Sequence, residues 1–447
     1  MKYYRWATSA LAVSLILGGA GVQPSRAQQP QQEQKITDFD RVRARDMLAR
    51  VYDTLKKNYY DQTFHGLDID ARYKTYDERL KSAQTLAQAF RTIAAFLTGL
   101  DDSHTYFQPP SRSYRFTYGY LMEMVGDNCF ITEVRPDTDA AKKLHPGDQI
   151  LSLDGYTINR KDLWQLEYFL NRLAPKPTHD LSLRGPSGNT RKEVIYTKYQ
   201  EGQLLTDLTL QHQADFGRLM LEEEERHHRL RQRYVEQGDV IIWKMPAFSA
   251  EATEIDRVVG VARKHKALIL DLRGNPGGRE DSLLRVIGNL FDHDVKIGTR
   301  VTRKGEKPMV AKSRGGEGFS GKLTVLVDSR SASAAEVVAR VVQLEHRGTV
   351  MGDRSSGSVM GAMFYAFQAG VDIAIFYGAA ITSDDLIMPD GRSLEKVGVT
   401  PDIIILPTAA DLAAGHDPVL ARAAELAGIQ LDPAAAGKLF PFEWSPL

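Results

Sequence analysis

The stretch Leu326-Val327-Asp328-Ser329-Arg330-Ser331-Ala332-Ser333-Ala334-Ala335-Glu336 decides how the second half of this sequence folds. It begins in an apolar run of strand length, passes through small residues typical of a turn, and continues directly into a helical pattern. A Ser in such a turn lies at the end of a buried strand, beside free N–H groups that suit the oxyanion of acyl transfer. The alternative is simple helix capping, because Ser333 and Glu336 have the spacing of a capping box.

Apolar runs and helical patterns alternate on both sides of this stretch. Strands are predicted at 240–243, 267–272 and 323–327, and helices near 255–264, 281–290 and 334–344. Alternation of this kind predicts an α/β domain over residues 239–447, with a largely parallel sheet and active-site loops at the strand ends.

A glycine-rich loop follows the strand predicted at 267–272. It reads Arg273-Gly274-Asn275-Pro276-Gly277-Gly278. Glycine lets the backbone approach a ligand closely and present its N–H groups, so Gly277 or Gly278 is a candidate second oxyanion donor beside Ala334. The loop alone is weak support, because similar loops serve as plain turns and phosphate cradles.

Three segments of different character precede the α/β domain. Residues 28–112 read as a Gln-rich spacer and an N-terminal helical domain, since Met47, Leu48, Val51 and Leu55 recur at helical spacing. Residues 113–199 contain short strand-like runs, turns and one helical stretch at 162–173. Residues 200–238 are highly charged and are predicted to form a helical linker.

The N-terminus has the pattern of a secretory signal peptide, predicted over residues 1–27. Lys2 and Arg5 precede an apolar run that is too short to span a membrane, and Ala27 ends the segment. A retained N-terminal anchor is the alternative. The one cysteine, Cys129, excludes an internal disulfide, so stability must come from packing.

The charge balance makes nucleic acid and anionic membrane improbable as main partners. Lys plus Arg and Asp plus Glu both number 57, so the formal net charge is zero. His212, His227 and His228 lack Cys partners and zinc-protease spacing, and no metal site or other cofactor is predicted.

Three motifs lie in order along the second half of the chain: Asp271-Leu272-Arg273-Gly274-Asn275-Pro276-Gly277-Gly278, Ser331-Ala332-Ser333-Ala334-Ala335-Glu336 and Gly398-Val399-Thr400-Pro401-Asp402. In order and spacing they resemble the C-terminal-processing (tail-specific) serine peptidase family. Residues 101–110 resemble that family's junction after the helical domain, and residues 144–155 are similar to the PDZ hallmark. The resemblance implies a multidomain α/β protein with an N-terminal helical domain, a PDZ-like β-rich domain and a ββα core of the crotonase or ClpP type.

By this resemblance Ser333 is the nucleophile, with Ser331 as a rival two positions earlier. A peptide carboxylate would dock on the PDZ-like loop and the peptide would add as a β-strand. The residues of that loop are Tyr118, Gly119, Tyr120 and Leu121.

The sequence departs from the family at the catalytic base. Family members with a Ser-Lys dyad place the Lys 25 positions after the Ser, within a Gly-Lys pair, whereas this sequence has Gly357-Ser358 there. Either the protein is inactive or another residue serves as the base. Residues 355–358 themselves line a substrate groove or form a plain loop.

A replacement for the lysine is present. Ser103-His104 resembles the Ser-His pair of the tricorn-protease branch of the same superfamily, and Glu395 precedes residues 398–402 as a Glu does there. In this arrangement His104 takes and returns the Ser333 proton, Glu395 fixes the imidazole tautomer, and Ser103 is a fourth member bonded to Glu395. A surface role for His104 and Glu395 is the alternative.

We therefore expect an exported, periplasmic serine endopeptidase that acts on unfolded or C-terminal segments of polypeptides through an acyl-enzyme. No integral membrane span is expected after signal removal. A catalytically silent PDZ-containing peptide-binding scaffold is the alternative, motivated by the missing lysine. A structural adaptor working through residues 205–235 has only the charged linker in its favour.

Overall fold

The computed structural model describes residues 35–110, 114–201, 231–369 and 375–444. The predicted signal peptide (1–27), the Gln-rich spacer to residue 34 and most of the predicted charged linker (202–230) lie outside the described residues. The three histidines His212, His227 and His228 lie outside them as well.

The helical pattern predicted before residue 100 is confirmed as three helices. They are α1 (Asp38–Asn58), α2 (Ile69–Lys81) and α3 (Leu86–Thr98). The side chains of Thr37, Asp68 and Thr85 cap their N-termini by accepting backbone N–H groups. Leu48, Val51 and the other apolar residues on the facing sides of these helices are buried together in one core.

The β-rich region forms a five-stranded antiparallel sheet in the order β3-β4-β5-β6-β7, with a separate pair β2-β8. Its elements are β2 (Tyr114–Thr117), β3 (Tyr120–Val125), β4 (Asn128–Val134), α4 (Ala140–Lys143), β5 (Gln149–Leu153), α5 (Leu163–Tyr168), β6 (Thr178–Arg184), β7 (Thr190–Tyr196) and β8 (Lys198–Glu201). β4 and β5 lie among the strand-like runs predicted within residues 113–199, and α5 lies within the helical stretch predicted at 162–173, so both predictions are confirmed.

A six-stranded sheet forms the centre of the C-terminal half, as the alternating pattern predicted. Its order is β18-β15-β14-β11-β10-β9, and all neighbours are parallel except β9 and β10. Its strands are β9 (Arg233–Gln237), β10 (Val240–Lys244), β11 (Ala267–Asp271), β14 (Lys322–Val327), β15 (Thr349–Gly352) and β18 (Ile403–Ile404).

Helices cover both faces of this parallel sheet, so alternate strand residues enter two separate cores. One layer contains α6 (Ala252–Ala262), α7 (Glu280–Leu290) and α8 (Ala334–Leu344). The other side carries α10 (Pro418–Ala427) and α11 (Pro433–Ala436), whereas α9 (Ala409–Ala414) has no buried residue and lies against the turn that contains Gly147. Because the strands are parallel, the loops that follow β11, β14 and β15 emerge at one edge of the sheet.

A third sheet connects the helical region to the C-terminal half. It contains β1 (Tyr106–Gln108), β12 (Val295–Thr302), β13 (Gly305–Ala311), β16 (Gly361–Ala369) and β17 (Ile375–Ile387). β1 follows directly after His104 and pairs antiparallel with β17. The N-terminal segment is thereby built into a sheet whose other strands lie about 200 residues or more away in sequence.

No helix within the described residues is both long enough and apolar enough to cross a membrane. The helices and sheets described above form a mixed α/β fold with several sheets, as expected. The PDZ-like and crotonase-like assignments and the domain boundaries stay predictions.

The turn at residues 145–148, between α4 and β5, gives a test of how the β-rich region docks. Gly147 has φ +85°, and an added Cβ there would overlap the Ala409 carbonyl oxygen in α9. Gly155 has φ +82° and open space around it. Both Gly→Ala changes carry the left-handed backbone strain of roughly 1–2 kcal/mol, but only Gly147→Ala also pushes α9 away.

We expect Gly147→Ala to lower the free energy of unfolding clearly more than Gly155→Ala, measured by urea denaturation monitored by circular dichroism. Equal losses in the two variants would contradict the close approach of residue 147 to α9.

Candidate active site

Three loops at the carboxyl edge of the parallel sheet are hydrogen-bonded to one another. They follow β11, β14 and β15. The Ala332 N–H donates to the Asn275 carbonyl (2.9 Å), the Ser333 N–H to the Ser358 carbonyl (2.8 Å), and the Ser356 N–H to the Ser331 carbonyl (2.9 Å). The loops therefore act as one unit around residue 333.

Ser333 is the N-cap residue of α8, as the capping alternative predicted, but its backbone conformation is unusual for a cap. Its φ is 55° and its ψ −118°, whereas the N-caps Thr37, Asp68 and Thr85 are extended. Positive φ is strained for a residue with a side chain and is often found at functional sites. Capping alone does not require this conformation.

The buried carboxylate of Glu336 organises the surroundings of Ser333. It accepts hydrogen bonds from the N–H groups of Ser333 (3.0 Å), Gly357 (2.7 Å) and Ser358 (2.9 Å), and from the Ser355 hydroxyl (2.6 Å). Glu336 is fully buried, and burial raises the pKa of its carboxyl to about 7 although the four donors favour the charged form. The capping-box spacing was the only sequence signal for this role.

The predicted oxyanion donors differ in availability. The Gly277 N–H donates to the Asn275 side chain (2.8 Å), which is itself held by a bond to the Met245 carbonyl. Within the described part of the chain, the N–H groups of Gly278 and Ala334 have no acceptor. The structure therefore favours Gly278 with Ala334 over Gly277.

Gly277 lies against the candidate nucleophile. Its φ is +93°, and a Cβ added there would lie 2.5 Å from the Ser333 Cβ. The absence of a side chain at this position is what allows the glycine-rich loop to reach Ser333.

Ser331, the rival nucleophile, has a structural role. It is fully buried, and its hydroxyl donates to the Leu272 carbonyl (2.9 Å) and accepts from the Asp328 N–H (2.9 Å). A hydroxyl fixed in this way cannot reach a substrate without breaking the turn.

Ser103, His104 and Glu395 lie together, although residues 103 and 395 are 292 positions apart in the sequence. The Ser103 hydroxyl lies 2.7 Å from Nδ1 of His104 and donates to Oε2 of Glu395 (2.9 Å). The Ser103 N–H donates to Oε1 of Glu395 (2.8 Å). The expected bond between Ser103 and Glu395 is confirmed.

The order of these groups corrects one expectation. Ser103 stands between His104 and Glu395, so the Ser103 hydroxyl links the imidazole to the carboxylate, and no direct bond joins these two groups within the described residues. Because that hydroxyl donates to Glu395, it is left to accept from Nδ1–H of His104. The tautomer that results has an unprotonated Nε2, which is the form that a base requires.

The buried carboxylate of Asp102 anchors the segment that carries His104. It accepts from the N–H groups of His104 (3.0 Å) and Thr105 (2.6 Å), the Tyr59 hydroxyl (2.8 Å) and the Thr382 hydroxyl (2.8 Å). The loop is thus tied both to α1 and to β17. The sequence alone assigned Asp102 no function beyond its place in the segment 101–110.

Burial sets the protonation of the site. It lowers the pKa of His104, against an opposing effect from Asp102, and raises the pKa of Glu395. A lowered pKa keeps the His104 imidazole neutral at neutral pH. Within the described residues, no hydrogen bond joins Ser333 Oγ to the His104 ring.

A cleft of about 340 Å³ lies beside these groups, between the C-terminal half and the β-rich region. Ser103, Glu395, Ser356 and Ser358 line one side, and Trp164 of the segment containing α5 lines the other. Residues 356 and 358 thus border a groove, whereas Ser355 is buried and bonded to Glu336.

The predicted peptide-binding loop lies at the start of β3. Tyr118, Tyr120 and Leu121 line a small cavity of about 80 Å³, together with Leu170. Gly119 does not line it; its carbonyl accepts from the Arg135 N–H, and its φ is +79°. Within the residues that the structure describes, no group of three His, Cys, Asp or Glu side chains is arranged to hold a metal ion.

Comparison with known proteins agrees with the resemblance drawn from the motifs. Residues 239–405 match the model of peptidase family S41, and residues 41–93 match the Tricorn protease C1 domain. A C-terminal processing peptidase of Tetradesmus obliquus chloroplasts is 24% identical over 384 residues, 81% of this chain and 77% of that protein. A carboxy-terminal-processing protease of Bartonella bacilliformis is 25% identical over 394 residues, 83% of this chain and 81% of that protein.

One solved structure with a similar fold is that of mature CPAF. It has a TM-score of 0.62 at 16% sequence identity, and the match covers 84% of this chain and 95% of that chain. At this identity the likeness concerns the fold alone. The predicted relationship to C-terminal-processing serine peptidases is confirmed by the domain and the named relatives.

The raised pKa of Glu336 predicts a pH-dependent contribution to stability. Because its folded pKa (about 7) lies above the usual value of 4.5, the native state binds the proton more tightly, and stability is lost as pH rises from 4.5 to 7. Glu336→Gln cannot ionise. Its stability relative to wild type should therefore improve by on the order of 3 kcal/mol between pH 4.5 and 8.

The measurement is urea denaturation of both proteins at several pH values. The fixed loss caused by poorer hydrogen bonding of the amide is the same at every pH and cancels in this comparison. A difference between the two proteins that does not change with pH would show that Glu336 titrates normally.

Proposed function

We propose that this chain, whose residues 239–405 form a domain of peptidase family S41, is an exported serine endopeptidase that cleaves unfolded or C-terminal peptide segments. The observation that carries this proposal is the environment of Ser333. A hydroxyl on a strained N-cap lies at the edge of a parallel sheet, near the backbone N–H groups of Gly278 and Ala334, which have no acceptor among the described residues.

The reaction begins with attack of Ser333 Oγ on the scissile carbonyl carbon, while Nε2 of His104 accepts the hydroxyl proton. The carbonyl oxygen becomes an anion that the Gly278 and Ala334 N–H groups stabilise. Collapse breaks the C–N bond, His104 returns the proton to the leaving amine, and an acyl-enzyme ester remains. Water, deprotonated by the same imidazole, hydrolyses the ester and restores Ser333.

This mechanism assigns the work of the missing lysine to His104. The Ser103 hydroxyl and the Glu395 carboxylate support the imidazole from the Nδ1 side and stabilise its positive charge. Position 358 keeps a backbone role, since its carbonyl accepts from the Ser333 N–H. Closure of the His104 imidazole onto Ser333 Oγ accompanies substrate binding, because catalytic hydrogen bonds often form only in the enzyme–substrate complex.

The β-rich region acts as a PDZ-like recruiting module. Its strand β3 is the outermost strand of its sheet, and the cavity beside Tyr118, Tyr120 and Leu121 fits a small terminal side chain. A chain end bound there runs along β3 toward the active-site cleft, with its carboxylate near Gly119. The signal-like residues 1–27 support export to the periplasm.

The second candidate function is that of a peptide-binding scaffold without catalysis. Two observations favour it. Residue 358 is Ser and not Lys, and no hydrogen bond joins Ser333 Oγ to the imidazole within the described residues. A serine-reactive phosphonate separates the two functions, because it labels Ser333 only where a base activates the hydroxyl.

The first prediction from the proposed function concerns hydrolysis of a permanently unfolded protein by the purified mature chain. Ser333→Ala and His104→Ala should each lose activity by several orders of magnitude, since removing either partner of such a pair typically costs about 10⁶ in turnover. The matched controls are Ser187→Ala and His293→Ala. They change exposed residues that do not line the cleft, and both variants should cut normally. Normal cutting by His104→Ala would place the base elsewhere.

The second prediction concerns the pH profile of kcat/KM. The base must be neutral, and burial lowers the pKa of His104 below 6.5, so activity should fall only in acid, with a midpoint below pH 6.5. Ser103→Ala leaves Nδ1 without its acceptor and should lower kcat by on the order of a hundredfold or more. A midpoint above pH 7 would contradict a buried imidazole base.

A further inference from the structure

Strand β3 lies at an edge of its sheet, and two of its outward peptide carbonyl groups accept hydrogen bonds from the segment that leads to Ser333. β3 pairs only with β4 within its sheet. Its Met124 carbonyl accepts from the Ser329 hydroxyl (2.7 Å), and its Met122 carbonyl accepts from the Arg330 guanidinium. Both contacts come from the turn between β14 and α8.

Arg330 also reaches the opposite wall of the groove. Its guanidinium bonds to Oε1 of Glu167 in α5 at 2.7 Å. Met122 and Glu167 both line the small cavity where the terminal residue is expected. Arg330 therefore lies across the groove between β3 and α5, immediately beyond that cavity.

These contacts use the acceptors that an added strand needs. A peptide that extends an antiparallel sheet donates its N–H groups to outward carbonyls of the edge strand, here those of Met122 and Met124. Arg330 and Ser329 occupy these acceptors in place of the peptide. Among the described residues, the end of the groove at Tyr118, Tyr120 and Leu121 forms a cavity of about 80 Å³, which is room for about one small side chain.

We propose that Arg330 is a built-in competitor for the peptide, so a chain end longer than its last one or two residues binds along β3 only after Arg330 leaves the groove. This inference rests on the recruiting role proposed for the β-rich region.

Release of Arg330 from β3 removes a contact that holds the turn leading to Ser333, because Arg330 and Ser333 belong to the same turn. The turn is fixed by the bonds of Ser331 to Asp328 and Leu272, and the next residue bonds to Asn275. Peptide affinity and the position of this turn are thus coupled. By thermodynamic reciprocity, the contacts that hold the turn on β3 weaken peptide binding by the same factor as a bound peptide weakens those contacts.

The test is peptide affinity measured by fluorescence anisotropy in full-length Ser333→Ala protein, which cannot cleave the probe. The probe is a labelled ten-residue peptide that ends in alanine with a free carboxylate. Adding Arg330→Ala should tighten binding by about tenfold, because a hydrogen-bonded charged competitor is removed. Glu167→Gln, which frees Arg330 from one wall, should tighten binding in the same direction.

Arg340→Ala is the matched control. Arg340 lies on α8, and its guanidinium pairs with Asp390 and with neither wall of the groove. It should leave affinity unchanged. Thermal unfolding of each variant verifies that the fold is intact. Unchanged or weaker affinity in both Arg330→Ala and Glu167→Gln overturns the competitor role.

The failure of the proposed function would look different. If wild type hydrolyses no unfolded protein while Arg330→Ala tightens peptide binding, catalysis fails and the competitor role stands. If no variant binds the probe, the groove takes no chain ends, and both the recruiting and the competitor roles are overturned.

Discussion

The carboxylate of Glu336 holds the loops on which the rest of the site depends. It is the shared acceptor for four donors on two loops, and those donors include the N–H of Ser333 itself. Because no water reaches it, each missing donor would leave a charge uncompensated in a medium of low dielectric constant. The strained conformation of Ser333 persists since the surrounding loops over-determine it.

Two further carboxylates hold the segment that carries His104, the base in the proposed mechanism. Asp102 fixes the backbone around His104, and Glu395 fixes Ser103 and the N–H of Val359. Val359 directly follows the loop that Glu336 holds. Three acidic side chains from three parts of the chain therefore position Ser333, His104 and the groove, and none of them needs to touch a substrate to do so.

Much of the fold followed from periodicity, because the parallel strands are continuous apolar runs and the helices have strong apolar faces. Ser103, His104 and Glu395 were grouped through motif resemblance, and their contact depends on pairing between β1 and β17 that no local pattern reveals. The position of Ser103 between His104 and Glu395 was missed, since hydrogen-bond order depends on side-chain geometry. The groove contact of Arg330 was missed for a similar reason: an Arg in a polar turn gives no sign of its partner across a domain boundary.

The long sequence separations at the base have a consequence for biosynthesis. The bonds Ser103–Glu395 and Asp102–Thr382 join residues 292 and 280 positions apart, so the imidazole is not held in place until the ribosome has made residue 395. Contacts between residues so far apart in sequence also form late in folding, since the chain must first close a very large loop. A nascent or partly folded molecule therefore lacks these bonds, and any activity that depends on them waits until residue 395 has been made and folded against residue 103.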